Sequence, residues 1–180
     1  MGIFGQLRAL FRSEPDELSE SMESERRSKE RVDVREGTRV LIIDDSKTVV
    51  TAIKKFLRSV GYETFEAFDA ETGLSMMHEH SPELIFLDIM LPGMNGFAAL
   101  RMIRRDPLTR DIPVIMMSGN EQAMEQFYGS RIGADDFMKK PFSRDELFFR
   151  IDALLDKNGV PRRAKVVSDA VPEHSTASFA

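Results

Sequence analysis

The sequence predicts an α/β fold in which five parallel strands form one sheet covered by helices on both faces. Runs of consecutive aliphatic residues indicate central strands, because a strand buried on both faces has no polar side. These runs lie at residues 40–43, 84–87 and 114–117. Between them, apolar residues recur with helical spacing. This alternation of strand and helix favours parallel strands joined by right-handed helical crossovers.

Two strand–helix units occupy the first half of the predicted domain. The strand at residues 40–43 is followed by an apolar helical face, and Gly61 is the type of residue that ends helices. The residues of this face are Val49, Ile53, Phe56, Leu57 and Val60. Residues 62–67 indicate a weaker strand at the sheet edge. Asp69 is placed to cap a second helix, which carries Leu74 and Met77.

Three further helices and three strands, the first of them at residues 84–87, are predicted in the second half. Pro113 opens the fourth strand, and a short fifth strand is expected at residues 137–138. Ser143 and Glu146 match a capping box at the start of the last helix. The apolar helix positions are Phe97, Leu100 and Ile103, then Met124, Phe127 and Tyr128 before Gly133, then Leu147, Ile151 and Leu154.

The 180-residue chain suits one domain with tails. Residues 1–12 form a short amphipathic segment, and residues 13–37 form a charged linker with few apolar side chains to bury. Residues 38–157 have the pattern of the globular domain. Residues 158–180 turn to Pro, Ser, Ala and Thr, and we expect a disordered tail there.

Composition narrows the classes of function. A net charge of −5 gives no reason to expect a nucleic-acid partner, and the absence of cysteine excludes disulfides and thiolate metal sites. Neither a secretory signal nor an apolar run that could span a bilayer is present, so we expect a cytoplasmic protein. About two dozen residues follow the last predicted helix, fewer than a DNA-binding output domain needs.

Carboxylates follow two of the predicted central strands. Asp44 and Asp45 end the first strand, and Asp88 ends the third. A single Asp after a strand usually caps a turn. Three of them on neighbouring strands, roughly 4.8 Å apart, would repel one another. A hard divalent cation relieves that repulsion, and Mg²⁺ prefers a few carboxylates together with water and phosphate oxygens.

A hydroxyl and an ammonium group end the last two strands. Ser118 follows the fourth strand and Lys140 follows the fifth. Lys140 has two interpretations, a plain ion pair with the acidic residues or a ligand for phosphate. With a metal ion, the hydroxyl and the ammonium would each contact one phosphoryl oxygen. A carboxylate nucleophile in such a site is able to form an acyl phosphate.

These motifs give residues 39–156 a specific resemblance. The matching segments are IDDS at residues 43–46, LDIMLPGMNG at 87–96, MSG at 117–119 and GADDFMKKPF at 133–142. In this order and spacing, they are similar to the receiver domain of two-component response regulators. The resemblance implies a flavodoxin-like doubly wound sheet with strand order 2-1-3-4-5.

The resemblance also assigns roles by position. It implies that Asp88 is the phosphoacceptor and that Mg²⁺ is bound by Asp44, Asp45, Asp88 and the backbone carbonyl of Met90. It implies a switch hydroxyl on Ser118, a phosphate contact from Lys140 and an aromatic switch residue at Phe137, where many relatives have Tyr. A cis bond between Lys140 and Pro141 is expected. The protein is then a phosphoacceptor rather than a classical enzyme.

The resemblance implies partners as well. A sensor histidine kinase would donate the phosphoryl group, and a downstream protein would bind the face formed by the fourth helix, fifth strand and fifth helix. Residues 43–48 look most like single-domain regulators of chemotaxis and twitching motility. The alternative is an interaction adaptor that works without phosphorylation, which the intact acidic trio disfavours. A phosphoaspartyl hydrolase would need a cap insertion, for which the sequence leaves no room.

Residues 1–12 carry a separate signal. Ile3, Phe4, Leu7, Leu10 and Phe11 fall on one helical face. This stripe is consistent with docking to a partner groove or a membrane surface, and equally with a segment that folds back on its own domain or frays.

Overall fold

The computed structural model describes residues 35–130 and 133–163 of the chain. Its strands are β1 (Arg39–Ile43), β2 (Glu63–Ala67), β3 (Leu84–Asp88), β4 (Val114–Ser118) and β5 (Asp136–Lys139). Its helices are α1 (Lys47–Arg58), α2 (Ala70–His80), α3 (Gly96–Arg105), α4 (Glu121–Ser130) and α5 (Arg144–Asp152). The strands form one parallel sheet in the order β2-β1-β3-β4-β5. The predicted fold class and strand order are therefore confirmed.

Two apolar cores lie on opposite faces of the sheet. Alternate residues of each central strand enter opposite cores, as the two-residue period of a strand requires. Residues from α2, α3 and α4 pack in the first core, and residues from α1 and α5 pack in the second. Strands β3 and β4 are buried along their whole length. Burial on both faces therefore fixes the position of the residues at the ends of the central strands.

Side-chain caps begin the helices at the predicted residues. Asp69 accepts a hydrogen bond from the Thr72 amide at 2.7 Å, and the Ser143 hydroxyl accepts one from the Glu146 amide at 3.1 Å. The capping box at Ser143 is only half realised, since the Glu146 carboxylate is instead bound by Arg150 at 2.7 Å. This i,i+4 ion pair is the alternative that the helix geometry offers to the same carboxylate.

The structure corrects two boundaries. Helix α1 ends at Arg58, so Val60 lies beyond it and is exposed rather than part of its apolar face. Residues 158–163, expected in a disordered tail, fold against the domain, because backbone bridges and an arginine side chain hold them there. Residues 1–12 and most of the predicted linker lie outside the described residues. No helix of the described residues is long and apolar enough to span a membrane.

Candidate functional site

The three predicted carboxylates meet at the carboxyl edge of the sheet. Strands β1 and β3 are neighbours, and Ile43 is in register with Leu87, so Asp44 and Asp88 emerge side by side. Each of Asp44, Asp45 and Asp88 offers a ligand oxygen within 4.8 Å of the others. Asp44 is fully buried and Asp88 nearly so, whereas Asp45 is exposed. The site is thus an acidic pocket with one open side.

Lys140 reaches this pocket from the far side of the sheet. Its Nζ lies 2.6 Å from Asp44 Oδ2 and 2.9 Å from Asp88 Oδ2. The Lys140 amide donates to the Ser118 carbonyl at 2.9 Å, which extends the β4–β5 pairing to this residue. The Lys140–Pro141 peptide bond is cis, as the resemblance implies. In this structure the Lys140 ammonium is paired with two buried carboxylates. This geometry fits both interpretations of Lys140, as a plain ion pair and as a ligand for phosphate.

The charges in this pocket do not balance. Burial raises the pKa of Asp44, against the hydrogen bonds from Lys140 and the Ser46 amide that lower it. When all four groups are charged, three carboxylates and one ammonium leave a net charge of −2. Clustered carboxylate oxygens with one exposed member are the donor set that Mg²⁺ accepts, since that ion keeps several waters. The residues present therefore fit a hard divalent cation.

The backbone around Asp88 is held by its neighbours. The Met90 amide donates to Asp88 Oδ1 at 3.2 Å, and the Gly96 amide donates to the Ile89 carbonyl at 3.0 Å. A Cβ atom on Gly96 would lie 2.2 Å from the Asp88 carbonyl oxygen and 2.8 Å from Ile89 Cα. Only glycine lets α3 begin this close to the strand end. Gly96 belongs to the LDIMLPGMNG motif, but its role in this close approach was not predicted, although a glycine that opens a helix is a signal of close approach.

Two of the predicted residues, Ser118 and Phe137, have contacts outside the carboxylate cluster. Ser118 is buried next to Met117, the register partner of Asp88, and its Oγ accepts a hydrogen bond from the Asn120 amide at 3.1 Å. Phe137 lies in the first core, and its ring centroid is 5.1 Å from that of Phe127 on α4. Phe137 therefore joins β5 to α4, whereas Ser118 lies at the end of β4.

An apolar groove opens beside Lys140. Its volume is about 350 Å³, and it runs between the first turns of α1 and the loop between β5 and α5. The residues that line it are Thr48, Val49, Ala52, Lys140, Pro141 and Phe142. The groove places a surface suited to an apolar partner next to the partly exposed ammonium of Lys140.

Comparison with known proteins identifies the family of this chain. The family model of the response regulator receiver domain matches residues 40–152. The phosphate regulon transcriptional regulatory protein PhoB of Pseudomonas aeruginosa is 38% identical over 123 residues, which are 68% of this chain and 54% of that protein. The DNA-binding dual master transcriptional regulator RpaA of Synechocystis is 38% identical over 128 residues, or 71% and 53%. The chain spans about half the length of these relatives.

Solved structures give the same result. The receiver domain of Francisella response regulator 1452 is 31% identical and superposes with a TM-score of 0.58, covering 65% of this chain and 95% of that one. The chemotaxis response regulator CheY4 of Vibrio cholerae, at 24% identity and a TM-score of 0.61 over 65% and 98%, shares the fold. The chain therefore belongs to the family of response regulator receiver domains, the signalling modules of two-component systems.

Proposed function

We propose that this protein is a two-component response regulator that accepts a phosphoryl group from a sensor histidine kinase on Asp88. The observation that carries the proposal is the position of Asp88, which is buried at the end of a central strand between two acidic residues and Lys140. With a metal ion held by the acidic residues, this carboxylate would have that ion and Lys140 as neighbouring cations, which would offset the negative charge of an incoming phosphoryl group.

In the proposed step, a carboxylate oxygen of Asp88 attacks the phosphorus of a phosphohistidine. The new P–O bond replaces the P–N bond, the imidazole leaves and takes up a proton, and Asp88 becomes an acyl phosphate. Asp44, Asp45, Asp88 and the Met90 carbonyl would hold Mg²⁺. When bound, this ion neutralises charge on the phosphoryl oxygens. Lys140 then shifts its ammonium from the carboxylate of Asp88 towards a phosphoryl oxygen.

The signal is proposed to leave through Ser118 and Phe137. The Ser118 hydroxyl now accepts from the Asn120 amide and would rotate to donate to a phosphoryl oxygen, a contact that exists only in the phosphorylated state. Phe137 would follow into the space released and carry its packing partner Phe127 with it. Phenylalanine has no hydroxyl, so this switch works by ring packing alone. The output surface is the face of α4, β5 and α5.

The groove beside Lys140 supports a protein as the phosphodonor. Val49, Ala52 and Phe142 offer apolar contacts within the same groove that Lys140 lines. A helix of the kinase packed there would bring its phosphohistidine to the open side of the acidic pocket, where Asp45 is exposed.

The remaining assignments are proposals of the same kind. We place the receiver domain at residues 38–157 with the folded extension up to Arg163, and we propose a cytoplasmic location. The resemblance of residues 43–48 supports an output in chemotaxis or twitching motility, whereas PhoB and RpaA are named as transcriptional regulators. Identification of the protein that binds only the phosphorylated form decides between these pathways. A phosphorylation-independent adaptor would have no use for the acidic pocket.

The test is direct phosphorylation. Incubation with a small-molecule phosphodonor and Mg²⁺ is expected to add one phosphoryl group per chain, which mass spectrometry locates at Asp88. Asp88→Asn should remove this label, while the control Asp111→Asn, at an exposed carboxylate paired with Arg110, should retain it. Labelling of Asp88→Asn at the wild-type level would refute the proposal. Omission of Mg²⁺ should suppress labelling in all the active proteins.

A further inference from the structure

A folded extension follows α5 beyond the part of the chain that the family model matches. Residues 153–163 make a tight turn in which Asp156 accepts from the Asn158 amide at 2.8 Å and the Val160 amide at 3.1 Å. Leu155 pairs with Pro161 in an antiparallel bridge, and the Arg162 amide donates to the Leu154 carbonyl at 2.8 Å. Backbone hydrogen bonds therefore define this segment as structure rather than as a tail.

The extension ends on a buried carboxylate at the opposite end of the sheet from the acidic pocket. The side chain of Asp135, which precedes β5, is only 1% exposed and accepts from the Val114 amide and from Arg104, both at 2.8 Å. Arg163 completes this arrangement, since its Nε donates to the other carboxylate oxygen at 3.0 Å. Two guanidinium groups, one from α3 and one from the extension, thus share one carboxylate.

The same arginine also holds residues 133–135, the described part of the connection between α4 and β5. Arg163 donates to the carbonyl oxygens of Gly133 and Arg110, each at 3.1 Å, and Arg104 donates to the same two carbonyls. Gly133 has a φ of +83°, so it belongs to a turn that glycine favours. Arg163 is therefore bonded to the loops that precede β4 and β5, and its planar fork of donors suits three acceptors at once.

We propose that residues 153–163 form a latch, in which Arg163 holds residues 133–135 at the start of β5, and that release of Arg163 frees these residues. The other end of the described chain is held too, since the Arg35 amide donates to the Gly159 carbonyl at 3.3 Å. A partner that binds the chain next to Arg163 competes with Asp135 for the same segment. By thermodynamic linkage, binding of such a partner changes the equilibrium between the held and the released state of residues 133–135. Release of these residues in turn changes the affinity for the partner by the same factor. The latch is independent of whether Asp88 is phosphorylated.

The test compares neighbouring arginines in the full-length protein by amide hydrogen exchange without phosphodonor. Arg163→Ala should accelerate exchange at Val114 and Asp135 by about tenfold or more, because a hydrogen bond to a charged group is worth at least that factor. Arg163→Lys should give an intermediate effect, since an ammonium cannot serve three acceptors in a fork. Arg162→Ala is the matched control, because Arg162 pairs only with Asp156 in this segment at 3.1 Å and should leave exchange unchanged.

The outcomes separate clearly. Accelerated exchange confined to the start of β4 and residues 133–135 supports the latch. Equal effects of Arg163→Ala and Arg162→Ala would overturn it, and so would acceleration spread evenly over all strands, which indicates general destabilisation. Labelling of Asp88 by a small phosphodonor should be retained in Arg163→Ala, and its loss would also count against a local latch.

Discussion

Replacement of Lys140 by methionine tests how the acidic pocket is balanced. The Lys140 ammonium lies 2.6 and 2.9 Å from the carboxylate oxygens of Asp44 and Asp88, and ligand oxygens of these two residues are within 4.8 Å of each other. With an effective dielectric constant of about 20, each lysine contact contributes about 6 kcal/mol of Coulomb attraction, against at least about 3.5 kcal/mol of repulsion between the carboxylates. Methionine keeps the apolar stem and removes the charge.

The net effect is smaller than these Coulomb energies, because desolvation of the ions opposes them. Loss of one partner from a buried ion pair destabilises proteins by about 3–5 kcal/mol. Lys140 is 18% exposed, so water partly replaces it, and we expect Lys140→Met to lose about 2–4 kcal/mol of unfolding free energy without metal. Mg²⁺ at a hundredfold excess over its Kd would return about 2.7 kcal/mol.

The assay is urea unfolding at neutral pH with EDTA or with Mg²⁺, and Lys139→Met is the matched control. Lys139 is 55% exposed and lies 3.5 Å from Glu121, so its loss should cost little unfolding free energy.

The pH dependence of the Lys140→Met effect has a defined sign. Burial raises the folded-state pKa of Asp44, so the penalty of burying its charge grows as pH rises above its unfolded-state pKa and fades on acidification. Without Lys140, the folded-state pKa of Asp44 rises further. The loss of unfolding free energy in Lys140→Met should therefore become smaller at low pH. Equal stability of Lys140→Met and Lys139→Met in EDTA would refute the reasoning.

Three further predictions concern residues around the pocket. Gly96→Ala should lose about 1–3 kcal/mol of unfolding free energy in urea, because its Cβ would lie 2.2 Å from a backbone oxygen, while Gly119→Ala, with contacts of 3.7 Å or more, should lose less; equal losses would contradict the close approach. Asp45→Asn should weaken Mg²⁺ binding in a calorimetric titration, because it removes one carboxylate of the cluster, and unchanged affinity would remove Asp45 from the ligand set. Ser118→Ala should accept phosphate but show reduced amide shifts on α4, and a full response would exclude the serine switch.

The sequence was sufficient to predict the sheet and the residues of the pocket. Parallel topology brings the carboxyl ends of β1 and β3 together, so Asp44 and Asp88 had to meet once their strands were identified. Spacing could not predict how closely α3 approaches Asp88, since that distance depends on the missing side chain of Gly96. Composition also could not predict the folded extension, because backbone hydrogen bonds hold most of it and Arg163 contacts a carboxylate far away in the sequence.

The strands that carry the pocket residues differ in the number of strands that pair with them. We expect this difference to determine which part of the domain responds to phosphorylation. Asp44 follows β1 and Asp88 ends β3, and both strands have a neighbour on each side and residues buried in both cores. Lys140 follows the edge strand β5, which pairs only with β4 among the described strands. The negative charge added by phosphorylation of Asp88 therefore acts both on central strands, which are paired on two sides, and on Lys140, which follows a strand paired on one side. We expect β5 to move first, and Phe137 of β5 packs against Phe127 of α4. The face of α4, β5 and α5 should therefore change before the opposite edge of the sheet at β2.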